Sequence, residues 1–252
     1  MDLQLVGKRC LITGATSGIG AGVARVLAQE GARIAMIGRN APRLEESADS
    51  IQTECGSRPT VLTADLTEAS SVLRVAGEAM REFGGVDVLV NNAGGSRPVT
   101  LDASEADWDE ALDLNFSAAR RLTQALLPGM LAHHWGRIIS VSGSMEPRSL
   151  NAAVAAKGAL HLWSKGLSGD VAARGVTVNC VAPGRINSDQ ILNRLHPDPH
   201  ARAAFIEQNI PAGHFGEPED VGRLVAFLAS PLAGYITGTV IAIDGGMHHF
   251  AH

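Results

Sequence analysis

Short apolar runs alternate with amphipathic stretches along the whole of this chain. Apolar runs at 8–13, 33–38, 59–64, 86–91, 136–142, 175–181 and 239–243 read as strands. Between them, apolar residues recur at three- and four-residue spacing over 18–30, 41–54, 68–82, 104–130, 151–173 and 217–229, which predicts helices. A repeated strand-then-helix order demands right-handed crossovers. It predicts an α/β architecture, a doubly wound, seven-stranded parallel sheet with helices on both faces. No long linker, repeat or low-complexity stretch interrupts the pattern, so 1–252 reads as one domain. The stretch 184–216, rich in Pro, His and Asn, is too long for an ordinary connection and is the candidate for a lid over a substrate.

Ligands of such sheets bind beyond the carboxyl ends of the strands. The first strand, with Cys10, Leu11 and Ile12, runs directly into Thr13-Gly14-Ala15-Thr16-Ser17-Gly18-Ile19-Gly20. A strand that stops at Gly14 and restarts as a helix near Gly18 aims free N–H groups and a positive dipole end at one point, which suits a pyrophosphate. Gly14 permits the turn, Gly18 lets the backbone approach the phosphates, and Gly20 lets the helix pack closely on the strand. Val23, Val26 and Leu27 continue the helix face, and Arg33 to Ile37 complete a βαβ unit. Nucleotide binding is the first functional inference.

Composition narrows the rest. No apolar stretch approaches the roughly 20 residues that span a bilayer, and Met1-Asp2-Leu3-Gln4 has no secretory pattern, so a cytoplasmic location is expected. Cys10, Cys55 and Cys180 are sparse and odd in number, and read as reduced thiols rather than a disulfide framework or a metal site. A net charge of −5 with scattered bases gives no support for nucleic-acid binding. The second strand ends at Gly38, followed by Arg39, with Arg43 one turn on. A carboxylate there would grip the ribose 2′-hydroxyl of NAD. A cation without an acid suits the 2′-phosphate of NADP, so NADP(H) is favoured over NAD(H).

These residues together resemble the classical short-chain dehydrogenase/reductases, and among them the 3-oxoacyl-carrier-protein reductase-like branch. The resemblance covers almost the whole chain and implies a Rossmann-like fold that binds a nicotinamide dinucleotide. Thr13 to Gly20 is similar to the family's cofactor fingerprint, through Gly14, Thr16, Ser17, Gly18, Ile19 and Gly20. Asp65 matches its adenine-contacting acid, with Leu66 beside it. Asn91-Asn92-Ala93-Gly94 matches the signature after the fourth strand, with Asn91, Ala93 and Gly94 flanking the cofactor. Asn115 matches the helix asparagine that holds a proton-relay water. Pro183 and Gly184 match the turn beside the nicotinamide, with Ile186 expected at the carboxamide and Ser188 where the family often has Thr. Tyr235 to Gly238 and Asp244 to Gly246 resemble its last strand and turn.

The resemblance departs at the catalytic centre. Family members protonate the carbonyl oxygen from a tyrosine four residues before a lysine, a spacing that puts both on one helix face. Lys157 fits the lysine, as catalytic residue and ribose ligand. Four residues earlier stands Ala153, and the one tyrosine in the chain is Tyr235. The usual serine position falls on Gly143, in a segment 143–152 shorter than the family's, leaving Ser142 or Ser144 to polarise the oxygen. Glu146, His161 and Lys157 itself, directly or through water held by Asn115, are the candidates to replace the missing acid. Arg97 and Arg148 could grip an acidic substrate.

Two functions remain open at this point. One is an NADP(H)-dependent oxidoreductase interconverting a carbonyl and an alcohol of a small molecule, with a nonstandard acid. The other is a catalytically impaired dinucleotide sensor or partner-binding protein on the same fold. The resemblance also implies a homodimer or homotetramer through helices 104–130 and 151–173, where Trp163 and Leu167 could lie in the contact and the tail Met247 to His252 could reach a neighbour.

Overall fold

Strand β1 (Arg9–Thr13) is buried along nearly its whole length, and the burial alternates between two cores. Cys10 and Ile12 point to one face of the sheet and Leu11 to the other. A parallel strand covered on both faces needs such a continuous apolar run. The same holds for β2 (Arg33–Gly38), β4 (Val88–Asn91), β5 (Gly136–Val141) and β6 (Val176–Pro183), while β3 (Thr60–Thr63) and β7 (Val240–Ile243) form the less buried edges. The computed structural model describes residues 1–189 and 191–250, without the side chain of Arg194. All the strands are parallel, in the order β3-β2-β1-β4-β5-β6-β7.

The order reverses between β1 and β4, opening a crevice beyond their carboxyl ends. Helices α1 (Gly18–Gln29), α2 (Ala41–Cys55) and α8 (Pro218–Ala229) cover one face, with Val23, Leu27, Leu44, Ile51 and Val225 on the sheet. Helices α3 (Ala69–Phe83), α5 (Ala118–Ala132) and α6 (Ala152–Val171) cover the other, through Val72, Val75, Leu122, Leu126 and Val171. No helix among the described residues is long and apolar enough to cross a membrane.

Two regions differ from the periodic pattern. The stretch expected as one helix over 104–130 is α4 (Glu105–Leu112), a π-helical turn (Asp113–Ser117) and α5. Within that turn, buried Asn115 accepts a hydrogen bond from the Gly95 N–H (3.0 Å) and donates to the Ala111 carbonyl (2.9 Å). Apolar spacing carries no record of a polar side chain drawn inward. The stretch 184–216 holds a short π-helical turn (Ile191–Leu195) and α7 (Pro199–Asn209). Helix α7 buries none of its residues, so it has no apolar stripe to read. Its start is set by Pro199 and by Asp198, which accepts from the His200 N–H.

Candidate active site

A cleft of about 760 Å³ lies across the carboxyl ends of β1, β4, β5 and β6. One end is built by the chain leaving β1. The Thr13 hydroxyl oxygen accepts from the N–H groups of Asn92 and Ala93, both at 2.9 Å. The Asn92 side chain donates back to the carbonyls of Thr13 and Gly14, both at 3.0 Å. These four bonds fasten the end of β1 to the end of β4. Gly14 has φ +64° and Gly18 φ +54°, in the left-handed region where a side chain strains the backbone. A Cβ on Gly14 would lie 2.9 Å from the Ala93 Cα, and one on Gly20 only 2.3 Å from the Gly14 carbonyl oxygen. Ser17, the N-cap of α1, makes no side-chain capping bond, so the first-turn N–H groups remain available to a ligand. A phosphate fits this cradle.

Gly14, Thr16, Ser17, Gly18, Ile19, Arg39, Asp65, Leu66, Ala93, Gly94, Ser142, Ser144, Lys157, Pro183, Gly184, Ile186 and Ser188 all line the cleft. Gly20, Asn91 and Asn115 stand behind its wall. Asn91 is buried and donates to the Thr123 hydroxyl (3.2 Å). Asn92, singled out only as part of its motif, is the one that lines the cleft and ties the two strands. At the rim beyond β2 and β3, Arg39 lies 3.8 Å from Asp65, and Arg43 lies 3.7 Å from Asp189. Hydrogen bonds from Thr67, backbone first, with a further contribution from Arg39, hold the Asp65 carboxyl below its usual range.

The chemistry gathers where β5 ends. Helix α6 begins at Asn151, whose side-chain oxygen accepts from the Ala153 N–H, and it carries Lys157 to the cleft wall. The Lys157 Nζ donates to the Ser142 carbonyl at 2.7 Å. Burial pulls this ammonium down to about 8. The Ser142 hydroxyl lies 2.6 Å from the His161 Nε2 and 3.1 Å from the Val181 carbonyl, so its single proton stays within the protein. Burial and the nearby Lys157 cation lower the His161 pKa, which favours the neutral imidazole near pH 7. Ser144 differs, because its oxygen accepts from the Glu146 N–H (3.1 Å) and its own proton is free to donate.

Glu146 also lines the cleft but has its carboxylate engaged, while Arg97 and Tyr235 lie outside it. The Glu146 carboxylate accepts from the N–H groups of His249 (2.8 Å) and Phe250 (3.3 Å), holding the tail against the rim. Arg97 pairs with Glu110 and does not line the cleft. Tyr235 is fully exposed between α8 and β7, and also does not line the cleft. Ala153 lines it one turn before Lys157.

The sequence profile described as Enoyl-(Acyl carrier protein) reductase matches residues 14–248. The chain is 38% identical over 250 residues to 3-oxoacyl-(acyl-carrier-protein) reductase FabG of Vibrio cholerae, covering 98% of this chain and 99% of that protein. The FabG of Escherichia coli shows the same identity and coverage. Among solved structures, L-sorbose reductase from Gluconobacter frateurii, complexed with NADPH and L-sorbose, superimposes with a TM-score of 0.92 at 31% identity, covering 99% of this chain and 100% of that one. The Pseudomonas aeruginosa RhlG/NADP complex gives 0.89 at 31%, covering 98% and 99%. The shared sheet order, the glycine cradle and these full-length likenesses lead to one conclusion: the chain belongs to the classical short-chain dehydrogenase/reductase family of oxidoreductases, on the branch of the 3-oxoacyl-(acyl-carrier-protein) reductases.

Proposed function

We propose that this protein is an NADP(H)-dependent oxidoreductase interconverting a carbonyl and an alcohol, with Lys157 as the proton donor in place of a tyrosine. The observation that carries the reading is the place of Lys157 on the cleft wall, one turn after Ala153 and bonded to the Ser142 carbonyl, where burial pulls its ammonium down to about 8. A cation with that pKa is about nine-tenths protonated at pH 7 and gives up its proton far more readily than an ordinary lysine. Of its three N–H bonds, one is held by the Ser142 carbonyl, leaving two for a ribose hydroxyl and a substrate oxygen.

The cleft fits the dinucleotide. Gly14 and Thr16 to Gly20 would take the phosphates, Arg39 with Arg43 the 2′-phosphate, and Asp65 with Leu66 the adenine. Ala93 and Gly94 would flank it, and Pro183, Gly184, Ile186 and Ser188 would meet the nicotinamide, with Lys157 on its ribose. The preference for NADP rests on Arg39 and Arg43 and on the NADP(H) in the structurally similar sorbose reductase and RhlG. When bound, the reduced cofactor supplies a hydride to the carbonyl carbon. Ser144 polarises the carbonyl oxygen and Lys157 protonates it. Ser142 positions Lys157 through its backbone carbonyl, while Asn91 and Asn115 brace the loops behind the cofactor. The Ile191–Leu195 turn and α7 form the lid in this reading, and a second copy of the chain packs on α4, α5 and α6 beside exposed Leu162. Trp163 stacks edge-on against Phe116 within the chain, supporting that face from beneath. The assembly, the single domain 1–252 and a cytoplasmic location stand with the proposal.

The test is NADPH oxidation against a panel of 3-oxo compounds and small ketones, with wild type, Lys157→Met and Ala153→Tyr compared. Wild-type turnover that Lys157→Met abolishes is the expected result. Turnover by Ala153→Tyr alone would overturn the proposal and favour a dinucleotide-binding sensor.

A further inference from the structure

Arg185 sits between Gly184 and Ile186, on the turn that leaves β6 beside the end of β5. The sequence reading passed over it, because its neighbours carried the motif. Its guanidinium is fixed from two sides. The Nε donates to the His196 Nε2 at 3.2 Å, and the guanidinium carbon lies 5.5 Å from the Phe205 ring centroid. His196 is itself packed on Phe205, with centroids 4.5 Å apart. Burial, then the charges of Arg185 and Arg202, lower the His196 pKa, so the ring is neutral and able to accept.

What Arg185 lacks is an anion. Among the described residues no carboxylate lies within 4.0 Å of it, and none lies that close to Arg148, which donates to the neutral Asn209 side chain at 3.0 Å. Both arginines line the cleft, in company with Leu195, Phe205 and Met247. Burial, then the like charge of Arg148, pulls the Arg185 pKa down, a sign that the pair is poorly compensated. Glu146, two residues before Arg148, has its carboxylate turned to the tail N–H groups of His249 and Phe250, and Asp189, four residues after Arg185, lies 3.7 Å from Arg43.

We infer that Arg185 and Arg148 form an anion subsite, and that the substrate is a small oxo or hydroxy compound carrying a carboxylate or phosphate. This rests on the reductase reading, since it names the substrate class of the same cleft. The Nη groups of Arg185 present a planar fork that matches two oxygens of one anion. Arg148 adds charge from the rim, and the apolar wall of Phe205, Leu195 and Met247 takes the carbon chain.

Calorimetric titration of the NADP⁺-loaded protein with acetoacetate, dihydroxyacetone phosphate and methyl acetoacetate tests this without requiring turnover. One of the two anions should bind at least about tenfold more tightly than the neutral ester, and which one it is separates carboxylate from phosphate. Arg185→Met should bring the anion-to-ester ratio close to one, and Arg148→Gln, on an exposed loop, should lower it about threefold. In parallel NADPH assays, kcat/KM should follow the same ratio through KM. Anion binding without turnover would uphold the subsite and sink the reductase reading. Equal or weaker binding of both anions than the ester, or a ratio unchanged in both variants, would overturn the subsite. So would a loss of NADP⁺ affinity in Arg185→Met larger than its loss of anion affinity.

Discussion

Each end of the cleft carries two arginines, and they stand in different electrostatic company. At the rim beyond β2 and β3, Arg39 and Arg43 are mostly exposed and lie within 4.0 Å of Asp65 and Asp189. Near the end of β6, Arg185 is half-buried and held by neutral groups, and among the described residues Arg148 donates to an amide rather than to a carboxylate. The first pair is screened by water and matched by acids before any ligand arrives, so each contact is worth little. In the second pair Arg185 carries a desolvation cost that an incoming anion would offset, and exposed Arg148 adds like charge beside it. In the proposed reading, the first pair serves general affinity for a nucleotide and the second the choice of substrate. Lys157, between the two ends, belongs to both.

The largest effect is expected at that junction. Lys157→Met should lower kcat for carbonyl reduction about 10³-fold, the usual range for a lost general acid, in single-turnover NADPH oxidation. The wild-type rate of reduction should fall as pH rises through about 8, because only the protonated amine can donate, and alcohol oxidation should rise through the same range. A flat pH–rate profile with chemistry rate-limiting would remove Lys157 from the proton path.

Gly14→Val breaks the cofactor end alone. With φ at +64° and the Ala93 backbone 2.9 Å from the new Cβ, NADPH affinity should fall by about 100-fold, and stability by about 1–3 kcal/mol from backbone strain. Fluorescence titration and thermal melting read the two effects. Smaller still, Arg39→Ala should cost about tenfold in NADPH affinity and leave NADH binding almost unchanged, which sharpens the NADP assignment. The least effect is expected from Glu146→Gln, less than about fivefold in kcat/KM, because its carboxylate fastens the tail. A loss of 100-fold there would restore Glu146 as the acid and erase the distinction drawn between the tail and the chemistry.

The two ends also differ in how much the sequence disclosed. Strands such as β1 and β5 were legible because a parallel sheet buried on both faces needs unbroken apolar runs, and the turn after β1 was legible because backbone constraints select glycine at Gly14 and Gly18. The substrate end is assembled from side chains that meet only in space. Helix α7 was hidden because it buries no residue, and the break at Asp113–Ser117 because Asn115 draws inward to Gly95. The division of labour between Ser142 and Ser144 depends on where one hydroxyl proton goes, which spacing does not encode. Arg185 left a faint signal, a charge wedged between Gly184 and Ile186 where the flanking residues are apolar or small.

Strand β1, synthesised before the other six, lies inside the sheet with β2 on one edge and β4 on the other. Its pairing with β2 can form early, but its other edge has no partner until Val88 to Val90 have been synthesised. During that interval Cys10, Leu11 and Ile12 present an apolar edge with open hydrogen-bonding groups, a template for association between nascent chains. Every strand pair in the sheet is parallel, and β1 meets β4 only after β2 and β3 have been made, so closure depends on contacts distant in sequence and is slow. Expression at reduced temperature, where association between apolar edges weakens, should therefore raise the yield of folded protein.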